Sequence, residues 1–338
     1  MVDSSTFEGR KLHRVSIVIP VYKGEHTLTA LASEIAQLTA PTTSIEGHRY
    51  QVIELLLVYD RGPDRSDEVI RELAALHGFI RPIWLSRNFG QHPATLAGMA
   101  SSSGDWIVTM DEDGQHNPAD IGNFLDVALR CRSQLVYADP VNRPPHHAMR
   151  NVSSRLAKWI FSTFLSDGRG VSFESYRMIL GEVGRSVAAY AGTGVYLDVA
   201  LGWVAGPTAA CPVTLRAEGD RHSGYSTRRL FSHFWHLVIS SGTRPLRLVS
   251  ALGVVFSVGG VIFAIYLIVA HVTSGAVPLG WTSTMVAILV STGALLFSLG
   301  VIAEYVGVAV SMAMGKPLYL IVSDPENGPL GHQELDSS

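Results

Sequence analysis

The chain has 338 residues, 47% of them hydrophobic, and a mean hydropathy of +0.23, enough for a full core but too apolar for an ordinary soluble protein, so part of it is expected in a membrane. A formal charge of −3, a pI near 6.5 and the absence of any dense basic block exclude a phosphate-backbone binder, and no nucleic acid partner is expected. Two cysteines, Cys131 and Cys211, exclude a disulfide framework or a cysteine zinc site and fit a reducing compartment. The segment from Met1 to Arg14 has no apolar stretch of the kind a signal peptide needs, so the first domain is expected in the cytoplasm.

Val15 to Pro20 is a β-branched run closed by proline, and apolar residues at helical spacing follow from Thr27 to Leu38: a strand feeding a helix. Val52 to Val58 repeats the pattern and ends in Tyr59-Asp60-Arg61-Gly62-Pro63-Asp64, with Ser66 or Asp67 set to cap a helix to about His77. Arg81 to Leu85 reads as a third strand, leading through Ser86-Arg87-Asn88-Phe89-Gly90 into a helix to about Ser101. The fourth strand, Trp106-Ile107-Val108-Thr109, delivers Met110-Asp111-Glu112-Asp113-Gly114-Gln115, and period-2 alternation would send Asp111 and Asp113 to one side. Two hard carboxylates suit Mg²⁺ or Mn²⁺, which leave positions open for substrate phosphates and water; the alternative is a polar turn after a strand.

Strands alternating with helices predict an α/β fold whose mostly parallel sheet is covered on both faces and binds ligands outside the carboxyl ends of its strands. Tyr22, Asp60, Asn88, Asp111 and Asp113 all follow strand ends, so one crevice would gather them. No G-x-x-x-x-G-K-[ST] or G-x-G-x-x-G loop follows the first strand, which leaves phosphate to a metal.

Val18-Ile19-Pro20-Val21-Tyr22, Asp60 to Asp64, Leu85 to Gly90 and Met110 to Gln115 occur in the order and spacing of the family 2 glycosyltransferases, and the chain resembles their polyprenyl-phosphate (dolichyl-phosphate) branch. The resemblance implies a GT-A-type, Rossmann-like nucleotide-diphospho-sugar transferase domain. It implies that Pro20, Tyr22, Glu25, Asp60, Asn88, Asp111 and Glu112 bind the nucleotide sugar, and that Asp111, Asp113 and Gln115 hold the Mg²⁺ or Mn²⁺ that bridges its diphosphate. The chain departs from the family at Arg61-Gly62, where Gly-Ser is usual, at Lys23-Gly24, where Asn-Glu is common, and at Gly114, where Leu is usual.

Beyond strand-like Gln134 to Tyr137 comes a Pro- and His-bearing loop, and then a helix from about Asn151 to Leu165 with an apolar stripe and basic residues. Such a helix suits an anionic membrane surface or packing against the sheet. Arg143, Arg150 and Ser154 resemble the positions that hold the lipid phosphate in the family, and Ser175-Tyr176-Arg177-Met178 resembles its acceptor segment, with Arg177 as the candidate contact; a solvent-exposed loop arginine is the alternative. Arg216 to Arg229 resembles the family's mobile loop, in which Arg221 would close over the diphosphate as a catalytic cation; the alternative is a flexible linker.

Leu248 to Val272 and Trp281 to Ala303 are uncharged runs long enough to cross a bilayer, and the segment between them has no Lys or Arg, whereas Arg228, Arg229, Arg244, Arg247 and Lys316 lie outside them. The expected organisation is a cytoplasmic glycosyltransferase domain over 1–225, a juxtamembrane amphipathic helix over 226–247, membrane helices over 248–272 and 281–303, and a cytoplasmic tail over 304–338, polar and disordered from Ser323. That makes a multi-pass protein of the cell membrane; Gly253, Gly259 and Gly260 would permit close packing in a homo-oligomer. The resemblance implies inverting transfer of a sugar from a nucleoside diphosphate to polyprenyl phosphate. The competing expectations are a lipid or polysaccharide hydroxyl acceptor, and a non-catalytic membrane scaffold.

Overall fold

A computed structural model of the chain describes residues 11–142, 174–192, 196–216, 244–274, 280–315 and 317–329. The described residues up to 216 and from 317 onward belong to one compact unit, and those from 244 to 315 to another.

The first unit is built on one sheet. Its strands are β1 (His13–Val21), β2 (Thr42–Thr43), β3 (Arg49–Tyr59), β4 (Ile80–Leu85), β5 (Trp106–Thr109), β6 (Leu135–Pro140), β7 (Arg177–Leu180), β8 (Thr208–Val213) and β9 (Ile321–Val322). Their order is β8-β6-β7-β5-β1-β3-β4-β9, with β2 paired to β3. The helices are α1 (Leu28–Ala36), α2 (Ser66–Leu76), α3 (Gln91–Ser101), α4 (Ile121–Cys131), α5 (Gly181–Tyr190) and α6 (Leu197–Val204).

Alternate residues of β1 enter two separate cores. Ile17, Ile19 and Val21 pack with Leu31 and Ile35 of α1, Ile70 of α2 and Phe124 of α4, while Val18 packs with Leu96 and Met99 of α3 and Leu201 of α6. A strand buried on both faces reads as a continuous apolar run, which is why β1, β3 and β5 were legible without alternation.

The parallel set runs β4-β3-β1-β5. The chain builds outward from β1 to β3 and β4, then crosses through α3 to pair β5 with the other side of β1. This reversal places a topological switch point between β1 and β5, where α/β sheets bind ligands.

The sheet is more mixed than the βα alternation predicts. The chain leaves β6 at the crevice end and re-enters there as β7, which therefore runs antiparallel to both β5 and β6. The short β2 and β9 are antiparallel to β3 and β4. The tail also departs from expectation: residues 317–329 are ordered against this unit, with β9 on the edge strand β4 and Arg71 of α2 bonded to Asp324. An edge strand's open N–H and C=O groups offer the tail a template, and its polar composition masked that.

The second unit contains two long helices, α7 (Arg244–Ser274) and α8 (Trp281–Ala313). Among the described residues, Val290–Val310 is long and apolar enough to cross a membrane, with a mean hydropathy of 1.9 and only 6% of it buried. Exposed Leu295, Leu296, Phe297 and Leu299 distinguish it from the buried core helix of a soluble protein. Helix α8 continues to Ala313, beyond the apolar run that ends at Ala303.

Candidate functional site

Strand β5 ends at Thr109, and Met110 N–H donates to Val18 O of β1 at 3.1 Å, so the acidic cluster begins at the switch point. Asp111 to Gly114 form a turn, and alternation along a strand is not what presents the carboxylates. Gly114 supplies the reversal with φ of +77°, a conformation that the Leu usual in the family adopts rarely. The Asp113 carboxylate accepts Gln115 N–H and Gln115 Nε2, each at 3.0 Å. Asp111 accepts Gln91 Nε2 at 2.6 Å and Ser175 Oγ at 2.5 Å, and its N–H donates to His116 Nδ1 at 3.0 Å.

All these donors to the two carboxylates are neutral. Among the described residues, neither Asp111 nor Asp113 forms an ion pair with a lysine or arginine. Two carboxylates and an amide in one turn, with no ion-paired cation among the described residues, are oxygen ligands of the kind a hard divalent ion takes.

The other crevice residues brace this turn. Glu112 accepts Tyr22 N–H at 2.7 Å and Lys23 N–H at 2.8 Å, and its carbonyl accepts Thr27 Oγ1 at 2.5 Å. Asp60, at the end of β3, accepts Phe89 N–H at 2.7 Å and Gly90 N–H at 2.8 Å. Burial pushes its carboxyl up from the ordinary aspartate value, against those two bonds and the nearby Arg87 charge. The family departure at Gly62 has a steric cause: a Cβ there would stand 1.7 Å from Tyr22 O, so any side chain would force the ends of β1 and β3 apart. Arg61 turns through φ of 52° and donates Nε to Leu85 O at 3.1 Å. Glu25 accepts Arg65 N–H at 3.3 Å and donates its own N–H to Asp64 at 3.2 Å.

Pro20, Tyr22, Asp60, Asn88, Asp111, Glu112, Asp113 and Gln115 thus lie at the carboxyl ends of the four parallel strands, with Tyr22 43% exposed. Arg177 does not join them as an open acceptor contact. It is buried in β7, donates Nε to Thr109 Oγ1 at 3.1 Å and ion-pairs with Asp198 of α6. Tyr137 also donates to Asp198, at 3.0 Å, and burial pushes its hydroxyl up to about 12. An arginine beside an exposed strand end reads as an anion contact until its buried partner, 21 residues later, is known. Arg143, Arg150, Ser154 and Arg221 lie outside the described residues.

Residues not singled out from the sequence complete the turn. His116 is buried and stacks on Tyr176 with ring centroids 4.7 Å apart and planes at 20°. Tyr176 donates to Asn117 O at 2.7 Å. Arg216 donates its N–H to Gln115 O at 3.0 Å, reaches Asn117 Oδ1 at 2.8 Å and grips both oxygens of Glu34. A separate group, Glu46, His48 and Asp126, brings possible metal-ligand atoms within 4.8 Å of one another. It sits at the start of β3, roughly 35 Å along that strand from Asp60 at ~3.3 Å per residue. Asp126 there accepts Ser44 Oγ, Glu46 N–H and His48 Nδ1, which ties the β2–β3 turn to α4.

Residues 16–183 match the family described as Glycosyl transferase family 2, and residues 244–309 match the GtrB C-terminal hairpin. The chain is a family 2 glycosyltransferase. The first match spans the sheet from β1 into α5 and includes the acidic turn; the second spans most of both long helices. This glycosyltransferase is 28% identical to an undecaprenyl-phosphate 4-deoxy-4-formamido-L-arabinose transferase of Aeromonas hydrophila, over 91% of its own length and 92% of the relative's. To the enzyme of the same name from Pseudomonas fluorescens it is 29% identical, over 94% and 92%. Among solved structures, glucosyl-3-phosphoglycerate synthase from Mycobacterium tuberculosis, in complex with Mn²⁺, UDP and phosphoglyceric acid, overlays with a TM-score of 0.43 and 17% identity, covering 68% of this chain and 77% of that one. The sheet order and the family match together give a GT-A-like mixed-sheet fold.

Proposed function

We propose that this glycosyltransferase transfers a sugar, with inversion, from a nucleoside diphosphate to polyprenyl phosphate on the cytoplasmic face of the cell membrane. The observation that carries the reading is the Asp111–Gln115 turn at the switch point, whose two aspartates accept only neutral hydrogen-bond donors among the described residues. Asp111, Asp113 and Gln115 would hold Mg²⁺ or Mn²⁺, which offsets charge on the departing diphosphate when bound. Tyr22, with its N–H fixed by Glu112, and the Ser86–Gly90 loop, fixed by Asp60, form the walls for the base and ribose. Glu112 is engaged with backbone N–H groups and is not the base. None is required, because an acceptor phosphate is already ionised near neutral pH.

The acceptor is supported by the names of the relatives, whose printed sugar is a formamido-arabinose; for the donor we propose a UDP-glucose or GDP-mannose type, with amino sugars next. Arg143, Arg150 and Ser154 are the proposed lipid-phosphate contacts and Arg221 the proposed second cation on the leaving group. Connectivity supports a multi-pass topology: the described residues up to 216 and from 317 belong to one unit and two long helices lie between them in the chain, which would put both ends of the hairpin on the cytoplasmic side. Membranes containing the protein, incubated with labelled nucleotide sugars, should yield a lipid-linked sugar that is acid-labile and alkali-stable. An alkali-labile lipid product would point to a hydroxyl acceptor, and no lipid-linked label with any donor would overturn the enzymatic reading.

A further inference from the structure

The tail that follows the two long helices touches the donor side of the crevice. Leu320 O accepts Ser86 N–H at 3.0 Å, and Ile321 and Val322 pair with Leu85 and Trp84. Ser86 opens the loop that Asp60 holds at Phe89 and Gly90, and the next residue, Gln91, reaches Asp111. The loop is therefore fixed at three points: by the tail at its start, by Asp60 at its end and, just beyond, by the metal turn. Leu318 and Tyr319 pack against the same core as Phe89.

A two-residue strand holds little by itself, since isolated pairings this short are marginal in water. The tail's hold comes from Arg71 of α2. Its Nε donates to both oxygens of Asp324 at 3.1 Å, it ion-pairs with Glu326 and Asp67, and its guanidinium lies 5.1 Å from the Trp84 ring centroid. Asp324 in turn shapes the tail's turn by accepting Glu326 N–H at 3.1 Å and Asn327 Nδ2 at 2.9 Å. The Arg71 side chain is only 16% exposed and that of Asp324 18%, so the pair is screened less than a surface salt bridge.

We infer that the segment 317–327 is a positioning element of the nucleotide-sugar site, latched by Arg71 and Asp324, so that return of the chain from the membrane hairpin sets the Ser86–Gly90 wall. This deepens the donor-site reading given above and rests on it. The test uses the full-length protein in membranes, with hydrogen exchange over 318–327 and steady-state kinetics for donor and lipid separately. Arg71→Ala and Asp324→Ala should each lose protection in the tail and raise the donor KM about three- to tenfold, with kcat and the lipid KM unchanged. Arg71→Lys, which keeps the charge but not the fork, should fall between these and the parent protein. Asp324→Ala leaves α2 intact, so agreement between the two alanine variants separates the latch from damage to the helix. Loss of protection with an unchanged donor KM, a fall in kcat alone, or undiminished protection would each overturn the inference. Absence of transfer by the parent protein would instead overturn the donor-site reading.

Discussion

Glu112 stands between two aspartates yet directs its carboxylate to the backbone of Tyr22 and Lys23, ninety and eighty-nine residues earlier. Three neighbouring acids thus divide into two bonded to Gln91, Ser175 and Gln115 and one that joins the ends of β1 and β5. Glu112→Gln leaves one oxygen to accept and turns an amide group toward a second N–H, so it should loosen Tyr22 and raise the donor KM while metal affinity persists. Kinetics at saturating Mn²⁺ check this; a loss of metal affinity equal to that of an Asp113 variant would contradict it. Asp60 behaves similarly, since two N–H groups converge on it. Asp60→Asn should cost about 1–3 kcal/mol of stability by leaving one donor unmet, readable as a lowered denaturation midpoint. Neither role was visible in the sequence, where each residue shows its chemistry but not its distant partner. Arg177 was misleading for the same reason: Asp198 lies on another element and settles its fate.

At the scale of elements, the four parallel strands and the acidic turn at their switch point were legible because buried β-branched runs and polar strand ends are local signals. The antiparallel returns β7 and β9 were not, since their pairing depends on where a distant segment re-enters the sheet. Tight approach between elements leaves a sharper mark. Gly62 lies under Tyr22 O, and Gly62→Ala should destabilise the catalytic unit by about 1–3 kcal/mol through forced separation of β1 and β3. Gly78 meets no atom within 4 Å and its φ is not positive, so Gly78→Ala serves as the tolerated control; equal thermal shifts for the two variants would refute the steric account.

At the scale of the whole molecule, a buried polar cluster also lies away from the crevice. At the end away from the crevice, buried Glu54 of β3 accepts Ser16 Oγ at 2.7 Å, Ser103 N–H at 2.6 Å and Ser103 Oγ at 2.8 Å, and pairs with Arg81. Burial alone would raise its carboxyl, but the bonds from Ser16, Ser103 and Arg81 outweigh it and hold it below the ordinary 4.5. A depressed carboxyl stabilises the fold above its unfolded value, and that contribution disappears as pH falls through the lower folded value. The parent protein should therefore lose stability more steeply below pH 4.5 than Glu54→Gln, and at neutral pH the variant should be less stable by about 2 kcal/mol. Parallel pH profiles would contradict this. In the proposed reaction Asp113 acts through a divalent ion on a nucleoside diphosphate. The most direct measurement of this is sugar transfer to polyprenyl phosphate as Mn²⁺ or Mg²⁺ is titrated, with the parent protein and Asp113→Ala compared in the same membranes at equal folded amounts. We predict metal-dependent transfer by the parent protein, abolished by EDTA and restored by the ion, and a loss of at least about a hundredfold in the variant at every metal concentration. Transfer retained by Asp113→Ala, or transfer by the parent protein that survives EDTA, would contradict the account.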